Sequence, residues 1–255
     1  MDYQTFIESK QQAVKSSGFI VADKDLPSFL FDYQKLVVKT ALEKGKFAAF
    51  LNTGMGKTAV LLSWADLVHK HTNQPVLILA PLAVSRQIAN TEAVKFGFEV
   101  NLCECLDNVT NGINITNYEK LDKFDCSVFS GVVLDESSIL KSFTGKTRNQ
   151  LIESFSKTLY RLACSATPAP NDPMELGNHV EFLGIMSYTE FLATFFTHDG
   201  GNTTKWRLKK HAQGKPYPNF LHQWCVIYLR LINLKSRSRQ ELSVKASFLQ
   251  WKHMD

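Results

Sequence analysis

The chain has 255 residues, 44% of them apolar and 21% charged, with a formal net charge of +5. That balance suits a globular protein with a core of its own, and no apolar run approaches the ~18 residues of a membrane span. The charge is uneven: from Lys205 onward 11 Lys/Arg stand against 2 Asp/Glu, a net of +9, while residues 1–204 carry −4, a pattern that suits either contact with a polyanion or a solvated tail.

Residues 1–25 read as a polar, amphipathic lead-in. They lack a basic stretch followed by an apolar one, so no signal peptide is expected and the expected address is cytoplasmic. A short extended piece at Phe29–Phe31 leads into a helix that Gly45 ends. Phe47 to Leu51 is a compact apolar run, as a buried strand requires. Lys57 to His71 reads as a helix with Val60, Leu61, Trp64, Leu67 and Val68 on one face. Val76 to Ala80 is a second buried strand, and Leu82 to Phe96 the helix after it. Further strands are expected at Glu99–Cys103, Ile113–Thr116, Val132–Leu134 and Leu159–Cys164. Strands alternating with helices imply a parallel sheet with helices on both faces. Cys103, Cys105, Cys126, Cys164 and Cys225 contain no C-x-x-C pair, which speaks against a zinc ribbon or a disulfide framework. Isolated His198 and His211 do not make a metal site either.

The strongest local feature is Asn52-Thr53-Gly54-Met55-Gly56-Lys57-Thr58, set between a strand and a helix. Glycines let a backbone approach phosphate oxygens and aim N–H groups at them, and the helix N-terminus adds the positive end of a dipole. Lys57 would reach the β- and γ-phosphates, and the Thr58 hydroxyl would meet Mg²⁺. The pattern's first glycine is replaced by Leu51. A chance Gly-Lys-Thr in a turn is the alternative, and strand before with helix after argues against it.

Val132-Val133-Leu134-Asp135-Glu136 is an apolar strand ending in two carboxylates. Asp135 would hold Mg²⁺ and Glu136 would polarise an attacking water. Both stand at a strand's carboxyl end, where α/β sheets place ligands. An Asp-Glu pair alone is weak and is usually a solvated loop. Downstream of a phosphate loop it becomes the second half of one site.

Five segments in this order resemble superfamily 2 helicases, and more closely the Swi/Snf-like translocases of phage and bacterial genomes. Phe31-Asp32-Tyr33-Gln34 looks like the adenine-reading segment, with Gln34 on the base. Ala80-Pro81-Leu82-Ala83-Val84 and Ile115-Thr116-Asn117-Tyr118-Glu119 are similar to two motifs that touch a nucleic-acid backbone. Asp135-Glu136-Ser137-Ser138 stands where the family often has Asp-Glu-x-His, so Ser138 replaces the histidine that links this motif to the coupling motif. Ser165-Ala166-Thr167-Pro168-Ala169-Pro170-Asn171 resembles that coupling motif, through Ser165 and Thr167. The resemblance runs from about Phe29 to about Ala212. It implies a RecA-like phosphate-loop NTPase lobe that takes ATP and Mg²⁺, with residues 26–200 as the lobe and 201–255 as a basic C-terminal segment. Thr53, Gly54, Met55, Gly56, Lys57 and Thr58 would hold nucleotide. Lys57, Asp135 and Glu136 would act in catalysis.

Nucleic-acid contacts are expected at Pro81, Arg86, Asn117, Lys141 and Arg148, with Lys146, Lys205, Arg207, Lys209 and Lys210 as further phosphate ligands. Double-stranded DNA is the expected partner. Such enzymes pair two RecA-like lobes, the second supplying arginines worth roughly 10³ to 10⁵ in rate. About fifty residues follow Lys205, too few for a ~150-residue domain. A lobe lost by truncation, as through a frameshift before residues foreign to the family, is the expectation, with a partner lobe acting in trans. Phe220, Trp224, Val226, Ile227, Leu229 and Leu231 would either pack on the lobe as a helix or stand exposed. A non-enzymatic ATP- or DNA-binding module and an unrelated phosphate-loop kinase are the competing functions. No acceptor-substrate site supports the kinase.

Overall fold

A computed structural model describes residues 16–141, 145–198 and 206–209, together with the backbone of 226–229. Its first helix, α1 (Asp32–Lys44), stops at Gly45 and is followed by β1 (Lys46–Leu51) and α2 (Lys57–Thr72). Next come β2 (Val76–Ala80), α3 (Leu82–Gln87), a π-helical turn (Ile88–Glu92) and α4 (Ala93–Phe96). Then follow β3 (Val100–Leu102), β4 (Ile113–Asn117) and β5 (Gly131–Asp135). The described chain continues through α5 (Lys146–Ser154), β6 (Tyr160–Ser165), α6 (Leu176–Phe182) and α7 (Tyr188–Phe195). A small antiparallel pair, β7 (Phe196–His198) and β8 (Trp206–Leu208), stands beside the main sheet.

With a last strand β9 (Val226–Leu229), the main sheet has seven strands in the order β3-β4-β2-β5-β6-β1-β9, with every neighbouring pair parallel. Its last member, β9 (Val226–Leu229), lies along β1 with Ala48 opposite Val226. This corrects the expectation of a helix or an exposed stretch at Val226–Leu229. Apart from residues 206–209, the rest of the C-terminal segment, Lys205, Lys210 and His211 among it, lies outside the described residues.

Side chains alternate across each strand and so sort into two cores. From β1, Phe47, Ala49 and Leu51 face one core, and Ala48 and Phe50 the other. The first core takes α1, α2 and the helix after β2. The second takes α5, α6, α7 and the turns around Tyr118–Phe129. Helices thus cover both faces, as the alternating pattern requires. Helix α2 departs from the one-faced expectation. Ala59, Leu62, Ser63 and Ala65 are buried along with the predicted stripe, because α2 lies between the sheet and α1. Gly131 allows its close approach: a Cβ there would sit 3.0 Å from Val68 Cγ1.

No helix among the described residues is long and apolar enough to cross a membrane.

Candidate functional site

Leu51, where the phosphate-loop pattern has its first glycine, is the last residue of β1 and is fully buried. That position is strand rather than turn, so no glycine is required there. The turn begins at Asn52, whose Oδ1 accepts from Thr53 N at 2.9 Å and whose carbonyl accepts from Met55 N at 3.2 Å. Gly54 (φ +82°) and Gly56 (φ +69°) then take left-handed conformations that other residues adopt only at a cost. Thr53 and Gly54 are exposed, and Thr58 is half-buried in the first turn of α2. Gly56 caps α2 without a side-chain bond, which leaves the first-turn N–H groups directed at the space above the loop.

Helix α1 clamps this loop. The Met55 carbonyl accepts from the Tyr33 hydroxyl at 3.0 Å and from Gln34 Nε2 at 3.1 Å. Gln34 Oε1 in turn accepts from Phe31 N at 2.9 Å. Gln34 is buried, and a Cβ on Gly56 would overlap its Nε2. Phe31 stands exposed beside this clamp, its ring nearly parallel to that of Tyr33 with centroids 6.0 Å apart.

Strands β5, β6 and β1 are consecutive in the sheet, and their carboxyl ends carry the other predicted groups. Asp135 closes β5 opposite Cys164, and Ser165 closes β6 opposite Phe50. Lys57 Nζ lies 3.9 Å from Glu136 Oε1 and 3.5 Å from the Leu51 carbonyl. Asp135 is buried, and that burial, reinforced by the neighbouring Glu136 charge, raises its pKa to about 6 against the opposing pull of Lys57. Two carboxylates, one buried and one partly exposed, stand against one ammonium at the strand tips, and carboxylate oxygens are donors suited to a hard divalent cation. Glu136 has φ +56°, a conformation rare for a residue with a side chain. The buried Ser165 Oγ accepts from Thr167 N at 3.0 Å, and Thr167 is exposed.

Arg86 and Asn117 come together at the neighbouring strand ends. A shallow cleft at the ends of β2, β3 and β4 is lined by Ser85, Arg86, Glu104, Thr116, Asn117 and Lys120. Pro81 caps α3 at its rim, and Asn117 is held by its Oδ1 accepting from Lys120 N at 3.1 Å. Arg86 is exposed. Lys141 stands exposed at the end of the 3-10 turn Ser137–Lys141 beyond β5. Lys146 is exposed at the start of α5. Arg207 lies exposed on β8, and Lys209 Nζ donates to the Ala193 carbonyl at 2.6 Å.

Arg148 is a correction. It is buried, pairs with Glu181, and donates from Nε to Asn178 Oδ1 at 3.2 Å. It points into the α5–α6 contact and cannot serve a nucleic-acid phosphate. Its spacing held the warning: Arg148, Leu151 and Phe155 follow one another at helical intervals on the buried side.

His179 was not singled out from sequence. It is buried on α6, its Nε2 lies 3.1 Å from Ser137 Oγ, and burial drives its pKa down to about 4. The readable signal was Asn178-His179 in the run from Leu176 to Leu183, where Glu181 is the one other polar side chain, since a buried polar pair needs partners.

A glycine loop, an acidic strand tip and a Ser-Ala-Thr turn on three adjacent parallel strands define a RecA-like lobe of the helicase kind. The SNF2-related domain matches residues 50–213, and the chain belongs to that family. Protein p41 of Acyrthosiphon pisum secondary endosymbiont phage 1 is 27% identical over 175 residues, covering 59% of this chain and 38% of that protein. The Sulfolobus solfataricus SWI2/SNF2 ATPase core in complex with dsDNA is similar in fold, with a TM-score of 0.57 and 22% identity over 69% of this chain and 41% of that one. The UvsW helicase of bacteriophage T4 gives a TM-score of 0.50 at 17% identity, over 73% of this chain and 66% of that one. The chain therefore spans about two-fifths of the phage relative and of the archaeal core.

Proposed function

We propose that this chain is the ATP-binding lobe of a nucleic-acid-dependent ATPase of the helicase or translocase type. The observation that carries the reading is the meeting of Lys57 and Glu136, 3.9 Å apart, over the tip of the strand that ends in Ser165. The backbone of Thr53–Gly56 and the first turn of α2 would cradle the phosphates, with Lys57 on the terminal ones. Thr58 and Asp135 would hold Mg²⁺, which supplies charge neutralisation on the phosphate oxygens. Glu136 would orient the attacking water. Gln34 and the Phe31 ring would receive the adenine. Ser165 and Thr167 would relate nucleotide state to nucleic-acid contact.

Double-stranded DNA is the proposed polyanion, bound by its backbone along the Pro81, Arg86 and Asn117 cleft and at Lys141. Backbone contact of that kind is independent of sequence and weakens steeply with salt. Transition-state arginines would come from a second RecA-like lobe, in trans or on the same polypeptide.

Phosphate release from MgATP, with and without double-stranded DNA and beside Lys57→Ala, tests the reading. DNA-stimulated turnover that the variant lacks supports a motor site complete in this chain. ATP binding without turnover, abolished by Lys57→Ala, supports a nucleotide site that depends on another lobe. A chain that binds no ATP overturns the reading.

A further inference from the structure

We propose that His179 is a positioning residue for the acidic pair, holding through Ser137 the backbone that carries Glu136. The inference rests on the ATP-site reading above and concerns a residue that the motif pattern does not assign.

Glu136 carries the strain. A left-handed conformation is strained for a residue with a side chain, so it persists only where its neighbours are held. On its N-terminal side, Asp135 is paired into β5, and its carbonyl accepts from the Tyr118 hydroxyl at 2.7 Å. On its C-terminal side, Ser137 is fully buried with its Oγ 3.1 Å from His179 Nε2. The preceding residue of α6 grips the other end of the same turn: Asn178 Nδ2 donates to the Lys141 carbonyl at 3.3 Å. Helix α6 thus fastens the Ser137–Lys141 turn at both ends.

His179 also reaches toward the phosphate loop. Its ring meets Phe50 of β1 edge-on, with centroids 5.2 Å apart and planes at 86°. The ring is neutral at neutral pH, because burial outweighs the pull of the nearby Glu175 and Ser137 carbonyls. A neutral imidazole can share one hydrogen bond with the Ser137 hydroxyl without bringing a charge into the core behind the acidic pair. Helix α6 follows the Ser165–Asn171 segment in the chain. His179 thus ties the acidic motif to the helix that follows that segment, where Ser138 offers no histidine.

The test uses the full chain and a fluorescent ATP analogue titrated with Mg²⁺. His179→Phe keeps the ring packing and removes the hydrogen bond, Ser137→Ala removes its partner, and His179→Gln places an amide near the Nε2 position. The half-saturating Mg²⁺ concentration should rise roughly 10-fold in His179→Phe and in Ser137→Ala, a size seen when groups behind a metal ligand are removed. It should rise no further in the double variant, and His179→Gln should restore most of it. Analogue affinity in EDTA should stay unchanged. A lowered melting temperature with an unaltered Mg²⁺ requirement in His179→Phe and Ser137→Ala would reduce His179 to a core residue and overturn the proposal. If the unmodified chain binds the analogue under neither condition, the ATP-site reading falls and the inference with it.

Discussion

Lys57 and Glu136 meet 3.9 Å apart although they leave strands β1 and β5, which strand β6 separates. The ammonium is mostly buried, with 15% of its side chain exposed, and it opposes the charges of both Asp135 and Glu136. Removing it should do two things. Lys57→Ala should weaken ATP binding by roughly 10- to 100-fold, the range for one charge-assisted hydrogen bond to phosphate. It should also raise the Asp135 pKa further, since the one favourable cation is gone. Calorimetric titration with ATP, alongside the pH dependence of unfolding, reads both effects.

The Asp135 carboxyl gives a prediction whose sign is opposite to that of an ordinary paired aspartate. Its folded pKa is raised from 3.8 to about 6. Between those values the folded state holds a proton that the unfolded state has lost, so stability falls as pH rises through that window. Asp135→Asn removes the effect. The variant should match the unmodified chain near pH 4 and exceed it by up to about 3 kcal/mol above pH 6. His179 runs the other way, its folded pKa lowered from 6.5 to about 4. Its contribution is full above pH 6.5 and is lost as pH falls toward 4, so it offsets Asp135 in the unmodified chain. Urea unfolding of both proteins at several pH values from 4 to 7 decides. A constant difference across that range would contradict the Asp135 shift.

Gly54 and Gly56 both have positive φ, yet they should respond differently to alanine. Nothing lies within 4 Å of a Cβ at Gly54, whereas a Cβ at Gly56 meets Gln34 Nε2. Gly54→Ala should cost only the backbone strain, about 1–2 kcal/mol. Gly56→Ala should cost more and should push Gln34 off the Met55 carbonyl. The excess should shrink when Gln34→Ala is combined with Gly56→Ala, because the clash then has no partner. Thermal or urea unfolding of Gly54→Ala, Gly56→Ala, Gln34→Ala and the double variant checks this, and full additivity of Gly56→Ala with Gln34→Ala would refute the contact.

The pattern of the sheet was legible because its strands are buried on both faces and read as apolar runs. Phe47–Leu51 and Val76–Ala80 needed almost no revision. The candidate residues at strand tips were placed for the same reason: a carboxylate or a glycine directly after an apolar run marks where the chain leaves the core. What stayed hidden depends on pairing between distant segments. Gln34 reads as a base-recognising residue, but here its amide also holds the Met55 carbonyl. No local spacing announces the Ser137–His179 bond, which joins residues 42 positions apart. Strand β9 was missed because Val226–Leu229 is short and apolar, and only its partner β1 decides between helix and strand. The π-helical turn at Ile88–Glu92 likewise interrupts a helix that reads as continuous.

Arg86 and Arg148 separate charge at the surface from charge inside, and the two alanine variants should therefore fail in different assays. Arg148 is paired with Glu181 and bonded to Asn178, with 8% of its side chain exposed. Arg148→Ala leaves a carboxylate half-buried without that partner and should destabilise the fold by about 3 kcal/mol or more. In protein that remains folded at low temperature, its DNA affinity should follow the unmodified chain at every salt concentration. Arg86 is exposed beside Asn117 and Lys120, so Arg86→Ala should leave unfolding within about 0.5 kcal/mol of the unmodified chain. It should weaken double-stranded DNA binding equally for all sequences and reduce the slope of log K against log salt by about 1. Fluorescence anisotropy over a range of salt concentrations measures that slope. A slope unchanged by Arg86→Ala would move the nucleic-acid path away from the ends of β2, β3 and β4, toward Lys141 and the start of α5.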